Sequence, residues 1–192
     1  MVTVVTPIGE RSVELSSRHD LLTVAEVFCR GDYDPVTGRN IVDIGANIGI
    51  ASLYFLTRDS EVTVTCFEPN PVNVERLRRT LSGFEGRYRV EEVAVAVESG
   101  TGRFRVEDTG RYGRLDPSAD MEVETVGIGE ALRSIAAQKG PIDLLKIDTE
   151  GSEPELVAAL PSDVPIGEVL WEDRGRIRRR SRGRRPAVVK RP

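Results

Sequence analysis

The stretch Val42-Asp43-Ile44-Gly45-Ala46-Asn47-Ile48-Gly49, answered further along by Cys66-Phe67-Glu68-Pro69, decides the fold. An apolar strand that runs into a glycine-rich turn and a helix, followed by a second strand ending on a carboxylate, builds the nucleoside pocket of a doubly wound α/β sheet. Gly45 and Gly49 let the backbone approach a ligand closely, and Glu68 stands where a carboxylate accepts two hydrogen bonds from ribose hydroxyls. A pyrophosphate site wants Gly-x-Gly-x-x-Gly with bare amides facing the anion; here Asn47 takes the place of a second glycine and Asp43 precedes the first. A carboxylate there repels a diphosphate but suits a ligand carrying a cationic amine and a sulphonium, such as S-adenosylmethionine. Asp43, Gly45, Ala46, Asn47, Gly49, Glu68 and Pro69 are therefore the expected donor-binding residues. The competing reading, in which the glycines serve only a tight turn, does not account for Glu68.

A chain of 192 residues suits one domain with a sizeable core. No apolar run approaches the ~20 residues of a membrane helix, and the N-terminus lacks the basic-then-apolar order of a signal peptide, so a cytoplasmic protein with no membrane partner is expected. Cys29 and Cys66 have no Cys-x-x-Cys spacing and only His19 to help, which argues against a disulfide framework or a zinc site. The net charge of −4 hides a division, since the segment from Glu172 to Pro192 carries +8 and the remainder −12. The acidic body argues against nucleic acid as a partner over its own surface.

Before the core, Val2-Thr3-Val4-Val5 and Ser12-Val13-Glu14-Leu15 read as a hairpin, and Leu21 to Phe28 as a short helix. Asn40 to Ile44 is the first central strand and Ile48 to Leu56 the helix after the glycine loop. Val62 to Phe67 is the second strand, and Asn70-Pro71 opens a helix with Val74, Leu77 and Leu81 at helical spacing, its Arg76, Arg78 and Arg79 solvated. Val90 to Val97 is the third strand, whose end flanks an adenine in this architecture, so Ala94 is a candidate wall of the purine slot. Two alternating stretches, Gly102 to Val106 and Met121 to Val126, enclose a loop around Gly110-Arg111-Tyr112-Gly113-Arg114 and read as a hairpin added to the sheet. Ala131 to Ala137 is helical, Ile142 to Ile147 is the fourth strand, and Ser152 with Glu155 makes a capping box for a helix to about Leu160. Glu168 to Trp171 is the fifth strand. Arg174 onward reads as disordered, because like charges repel and little is apolar.

Strand parity puts Lys146 and Asp148 on one face of the fourth strand, at the end where parallel sheets bind ligands. Burying either charge alone is costly, so the two are expected to pair. With Ile142-Asp143-Leu144-Leu145-Lys146-Ile147-Asp148-Thr149-Glu150-Gly151-Ser152-Glu153 added to the two earlier motifs, the chain resembles the FkbM family of S-adenosylmethionine-dependent O-methyltransferases. The resemblance runs from about His19 to about Leu160 and fails beyond Val169. It implies a Rossmann-like class I methyltransferase with a mostly parallel doubly wound sheet, whose C-terminal strands are incomplete in this chain. The implied organisation is an N-terminal hairpin and helix over 1–38, a donor-binding domain over 39–172 and a basic disordered tail over 173–192.

The implied reaction is methyl transfer from S-adenosylmethionine to a hydroxyl of a glycan or a secondary metabolite, the acceptor being a small molecule or glycan. Asp148 is the first candidate for base or acceptor-orienting group, with Lys146 acting electrostatically and Glu150 as a second carboxylate. Asp148, Glu150 and Glu153 could alternatively hold a divalent cation, a reading not favoured. Two rivals are RNA 2′-O-methylation and a catalytically inactive nucleoside-binding remnant; such chains usually carry a Glu and a His near the fifth strand, where this one has Glu172 and no His. With the sheet cut short, the fifth strand would be an exposed edge through which two copies could pair.

Overall fold

The computed structural model describes residues 1–107, 113–173 and 176–182. Val2–Thr6 (β1) and Gly9–Val13 (β2) pair antiparallel as the expected hairpin. Ser17 caps Arg18–Val24 (α1): its hydroxyl accepts the Asp20 amide, and the Asp20 carboxylate accepts the Ser17 amide. The helix therefore starts ahead of Leu21, then widens into a π-helical turn over Ala25–Arg30 and stops at Gly31, which adopts left-handed backbone.

Asn40–Ile44 (β3) and Ile50–Leu56 (α2) are buried at every position, as elements covered on all sides must be. Thr63–Phe67 (β4) leads to Asn70, whose side chain accepts the Val72 amide at 3.0 Å and caps Pro71–Thr80 (α3). Arg76 on α3 is not solvated as expected; it meets Asp20 of α1 at 2.6 Å and ties the N-terminal helix to the core.

The expected third strand is two. Tyr88–Glu91 (β5) completes one edge of the main sheet, whereas Ala94–Ala96 (β6) leaves it and pairs in parallel with Met121–Gly127 (β9). Glu92 is the break: it is exposed and pairs with Arg78 at 2.6 Å, while Val95 beyond it buries against the next helix. Gly100–Val106 (β7) and Gly113–Leu115 (β8) join β6 and β9 in a separate four-stranded sheet of order β6-β9-β7-β8, so the inserted segment is a second sheet and not an extension of the first. The centre of its loop, Gly110-Arg111-Tyr112, lies outside the described residues.

Ile128–Lys139 (α4), Ile142–Ile147 (β10), Glu153–Ala158 (α5), Ile166–Asp173 (β11) and Arg176–Ser181 (β12) follow. Ser152 does not cap α5 with its side chain; its hydroxyl instead lies 2.7 Å from the Thr149 hydroxyl. The main sheet has the order β12-β11-β10-β3-β4-β5, parallel apart from β12. One face packs Ile41 and Leu144 against α1, α2 and α3; the other packs Val42, Leu145 and Ile147 against α4 and α5. This is a doubly wound three-layer α/β fold of the class I methyltransferase type.

β12 corrects the expectation of a wholly disordered tail and of an exposed fifth strand. Its backbone pairs antiparallel with β11 from Asp173↔Arg176 to Glu168↔Ser181, Ile177 packs on the core, and Arg179 meets Glu168 at 2.6 Å. Backbone pairing and two ion pairs, Arg179–Glu168 and Arg178–Asp173, hold a segment whose side-chain pattern alone offers little to bury. The outer edge of the sheet is thus arginine-rich, a composition that discourages further strand pairing. Residues 174–175 and 183–192, on which the rest of that expectation falls, lie outside the described residues.

Candidate functional site

The site forms where β3, β4 and β10 end. Asp43 and Lys146 are register partners on adjacent parallel strands, and Lys146 Nζ donates to Asp43 Oδ1 at 2.8 Å and to the Gly45 carbonyl at 3.0 Å. Asp148 Oδ2, one strand pleat on, lies 3.5 Å from the same ammonium, so the expected Lys146–Asp148 pair is present. Burial works against the Lys146 charge, but Asp43 and then Asp148 outweigh it and hold its pKa above the ordinary lysine value.

Asp43 is sealed from solvent and does not line the crevice. Its second oxygen accepts from Ser52 Oγ of α2 at 2.6 Å, and Ser52 Oγ lies 3.1 Å from Cys66 Sγ of β4. Burial, with Asp43 close by, pushes the Cys66 thiol far up, so it stays protonated and donates to Ser52. Asp43 therefore fastens Lys146 beneath the loop. Asp43, the carboxylate that the sequence places beside the ligand, is thus withdrawn from the crevice, whereas Asp148, a quarter exposed, lines it.

The loop from Gly45 to Gly49 needs its glycines for different reasons. A Cβ on Gly45, at φ 73°, would sit 1.8 Å from the Asp148 carbonyl oxygen, so the loop could not close over β10. Gly49, at φ 82°, packs against Leu77 of α3 and does not line the cavity. Asn47 itself takes φ 50°, and its amide donates to Glu68 Oε2 at 2.9 Å. Glu68 Oε1 accepts the Asn70 amide at 3.0 Å and Asn73 Nδ2 at 3.4 Å. Burial raises the Glu68 carboxyl above its usual range, with these donors pulling the other way.

A cavity of about 430 Å³ opens here, lined by Gly45, Ala46, Asn47, Glu68, Lys146, Asp148 and Glu150. Glu150 holds left-handed backbone at φ 59°, at the turn after β10. Asp20, Val27 and Tyr33 close the cavity from the N-terminal segment, and Glu172 and Ile177 from the C-terminal strands. Pro69 and Ala94 line a smaller apolar slot of about 40 Å³ that shares Gly45 and Glu68 with the cavity; Phe104 and Leu115 of the second sheet form its outer wall.

Glu153 turns away from the cavity, its carboxylate accepting the Thr149 amide at 2.6 Å and the Gly151 amide at 2.9 Å. Among the described residues no three metal-ligating side chains converge. The donor set does fit S-adenosylmethionine: a carboxylate at the second strand's end, a tight glycine loop, an apolar slot beside them and a carboxylate near the loop. Sequence reasoning did not single out Ser52, Asn73 or Tyr33. The helical repeat could have flagged Asn73, one turn from the Asn70 cap; Ser52 and Tyr33 carry no local signal.

Residues 43–167 match the family described as Methyltransferase FkbM domain. The chain is similar to methyltransferase sdnD of Sordaria araneosa, 26% identical over 69% of this chain and 62% of that one. It is also similar to 31-O-demethyl-FK506 methyltransferase FkbM of Streptomyces tacrolimicus, 28% identical over 64% of this chain and 60% of that one. It spans about three-fifths of the length of these relatives. A solved methyltransferase from Geobacter sulfurreducens superposes with a TM-score of 0.43 at 16% identity, over 82% of this chain and 61% of that one. With the family match covering most of its length, the chain belongs to the FkbM methyltransferase family.

Proposed function

We propose that the protein transfers a methyl group from S-adenosylmethionine to a hydroxyl of a glycan or a secondary metabolite. The observation that carries the reading is the Asp148 carboxylate at the cavity wall, 3.5 Å from a fully engaged Lys146 and beside the glycine loop. The bound donor supplies an electrophilic methyl carbon on a sulphonium. Glu68, positioned by the Asn47 and Asn70 amides, holds the ribose end of the nucleoside, and the slot formed by Pro69 and Ala94 takes the base. Asp148 accepts the proton of the acceptor hydroxyl as the O–C bond forms, while the C–S electron pair stays on sulphur. Lys146 donates to Asp43 and to the Gly45 carbonyl and faces Asp148, so its work is to fix the carboxylate and the loop together. Most of the acceleration then comes from alignment of the two carbons and the acceptor oxygen.

Oxygen as the acceptor atom has the support of a relative whose name places its methyl group at a 31-O position. The test is to incubate the protein with labelled S-adenosylmethionine and a panel of glycosides and polyhydroxylated natural products. Formation of S-adenosylhomocysteine together with an O-methylated product supports the reading; a product methylated on nitrogen or carbon overturns it.

A further inference from the structure

Tyr33 is only 5% exposed, yet its hydroxyl has no hydrogen-bond partner among the described residues. The oxygen is not one of the sealed, unpartnered polar atoms, which among the described residues are Asn40 Oδ1 and Arg182 Nη1, so it keeps contact with the cavity that the residue lines. An O–H held in such a place is costly unless a ligand or water takes it. The ring cannot readily turn away. It packs on Phe55 of α2 at 5.5 Å between centroids, and Arg179 Nη2 grips its carbonyl at 2.7 Å.

The charges around the cavity limit what that hydroxyl can meet. Among the described residues its walls carry Asp20, Glu26, Asp32, Glu68, Asp148, Glu150 and Glu172 against two cations, Arg30 and Lys146. Both cations are engaged, Arg30 with Asp32 and Glu26, and Lys146 with Asp43 and the Gly45 carbonyl. The ammonium and sulphonium of the proposed donor suit such walls, but its amino-acid carboxylate does not. That carboxylate needs a neutral donor. Burial foremost keeps the Tyr33 phenol protonated, so its O–H is available to donate at physiological pH. Tyr33 also packs against Phe55 of α2, the helix that follows the glycine loop, and lines the same cavity as Gly45, Ala46 and Asn47.

We infer that Tyr33 is a binding residue for the donor's carboxylate, its phenol O–H donating to one carboxylate oxygen; this rests on S-adenosylmethionine being the donor. The test is titration calorimetry with three probes: S-adenosylhomocysteine, its decarboxylated analogue, and 5′-methylthioadenosine, which lacks the whole amino-acid arm. Tyr33→Phe is expected to weaken S-adenosylhomocysteine by about ten- to a hundredfold, the scale of a lost hydrogen bond to a charged group. Binding of the other two should stay within twofold of the unaltered protein, which also shows that the variant is folded. Equal losses for all three probes, or no loss for S-adenosylhomocysteine, overturn the inference. A measurement that needs no variant stands beside it: in the unaltered protein the decarboxylated analogue should bind at least tenfold more weakly, and equal binding overturns the inference. Failure of the unaltered protein to bind any of the probes would instead overturn the donor reading on which it rests.

Discussion

Lys146 Nζ and Asp43 Oδ1 stand 2.8 Å apart on register-paired positions of β10 and β3, with 3% and 0% of their side chains exposed. Removing one partner leaves the other as an uncompensated buried charge. Lys146→Met should therefore cost ~3 to 5 kcal/mol in urea unfolding, while Lys146→Met with Asp43→Leu should cost clearly less than the two single changes added together. Because the Lys146 pKa is raised on folding, its contribution is complete below the unfolded value of about 10.4 and is lost only as pH rises through the higher folded value. Additive costs would show that the pair does not act as a unit.

That pair marks the limit of what sequence alone reveals. The Lys146 and Asp148 side chains share a face by strand parity, and the Asn70-Pro71 helix start is written within a few residues, so both are legible locally. Which carboxylate faces the ligand is not. Asp43 is withdrawn from the crevice by Ser52 on the following helix and by Lys146 on a distant strand, and only the assembled sheet brings these together. β12 escaped for another reason: strand pairing draws on backbone groups, while arginine-rich side chains suggest solvation. The split of the third strand at Glu92 was marked only by the adjacent carboxylates Glu91 and Glu92 in an otherwise apolar stretch, and pairing with β9 is what turns the second half away.

Glu68 both organises the loop and faces the cavity, so its removal should be felt twice. Glu68→Ala strips the acceptor from the Asn47 and Asn70 amides and from Asn73, and should weaken S-adenosylhomocysteine by ~1.5 to 3 kcal/mol in calorimetry. The melting temperature should fall as well. Unchanged affinity for S-adenosylhomocysteine, with NAD bound instead, would rule out the donor assignment.

Asp148→Asn keeps the shape of the side chain and removes its charge and basicity. With Lys146 still held by Asp43 and the Gly45 carbonyl, affinity for S-adenosylhomocysteine should change no more than a few-fold. Turnover with an acceptor found in the labelled-donor panel should drop on the order of a hundredfold or more. A lower melting temperature with normal turnover would reduce Asp148 to a strand-end anchor.

Acid should loosen the junction at Asp20, which completes the capping box of α1 and receives Arg76 at 2.6 Å. Burial opposes its charge, but the Ser16 amide, Arg76 and Ser17 together hold the carboxyl below its usual value. A depressed carboxylate adds stability above the unfolded value of about 3.9 and loses it as pH falls through the lower folded value. The stability gap between the unaltered protein and Asp20→Asn should thus be full at neutral pH and close below about pH 4. A gap independent of pH would mean that hydrogen-bond geometry, and not charge, holds this junction.

Arg179 is the side chain that ties the arginine-rich strand to the loop carrying Tyr33, while Ile177 of the same strand lines the cavity. It meets Glu168 at 2.6 Å and donates to the carbonyls of Tyr33 at 2.7 Å and Pro35 at 2.9 Å, so one guanidinium joins β12, β11 and the loop that carries Tyr33. Arg179→Ala strands the Glu168 carboxylate, which is only 16% exposed, and frees both carbonyls; a cost of about 1 to 3 kcal/mol is expected. Arg178, half exposed and paired only at the surface with Asp173, is the matched control, and Arg178→Ala should change stability by less than about 0.5 kcal/mol. Affinity for S-adenosylhomocysteine should fall several-fold in Arg179→Ala and not in Arg178→Ala, because only the former loosens the wall behind Tyr33. If the two variants unfold and bind alike, β12 is held by its backbone ladder alone and has no grip on the site.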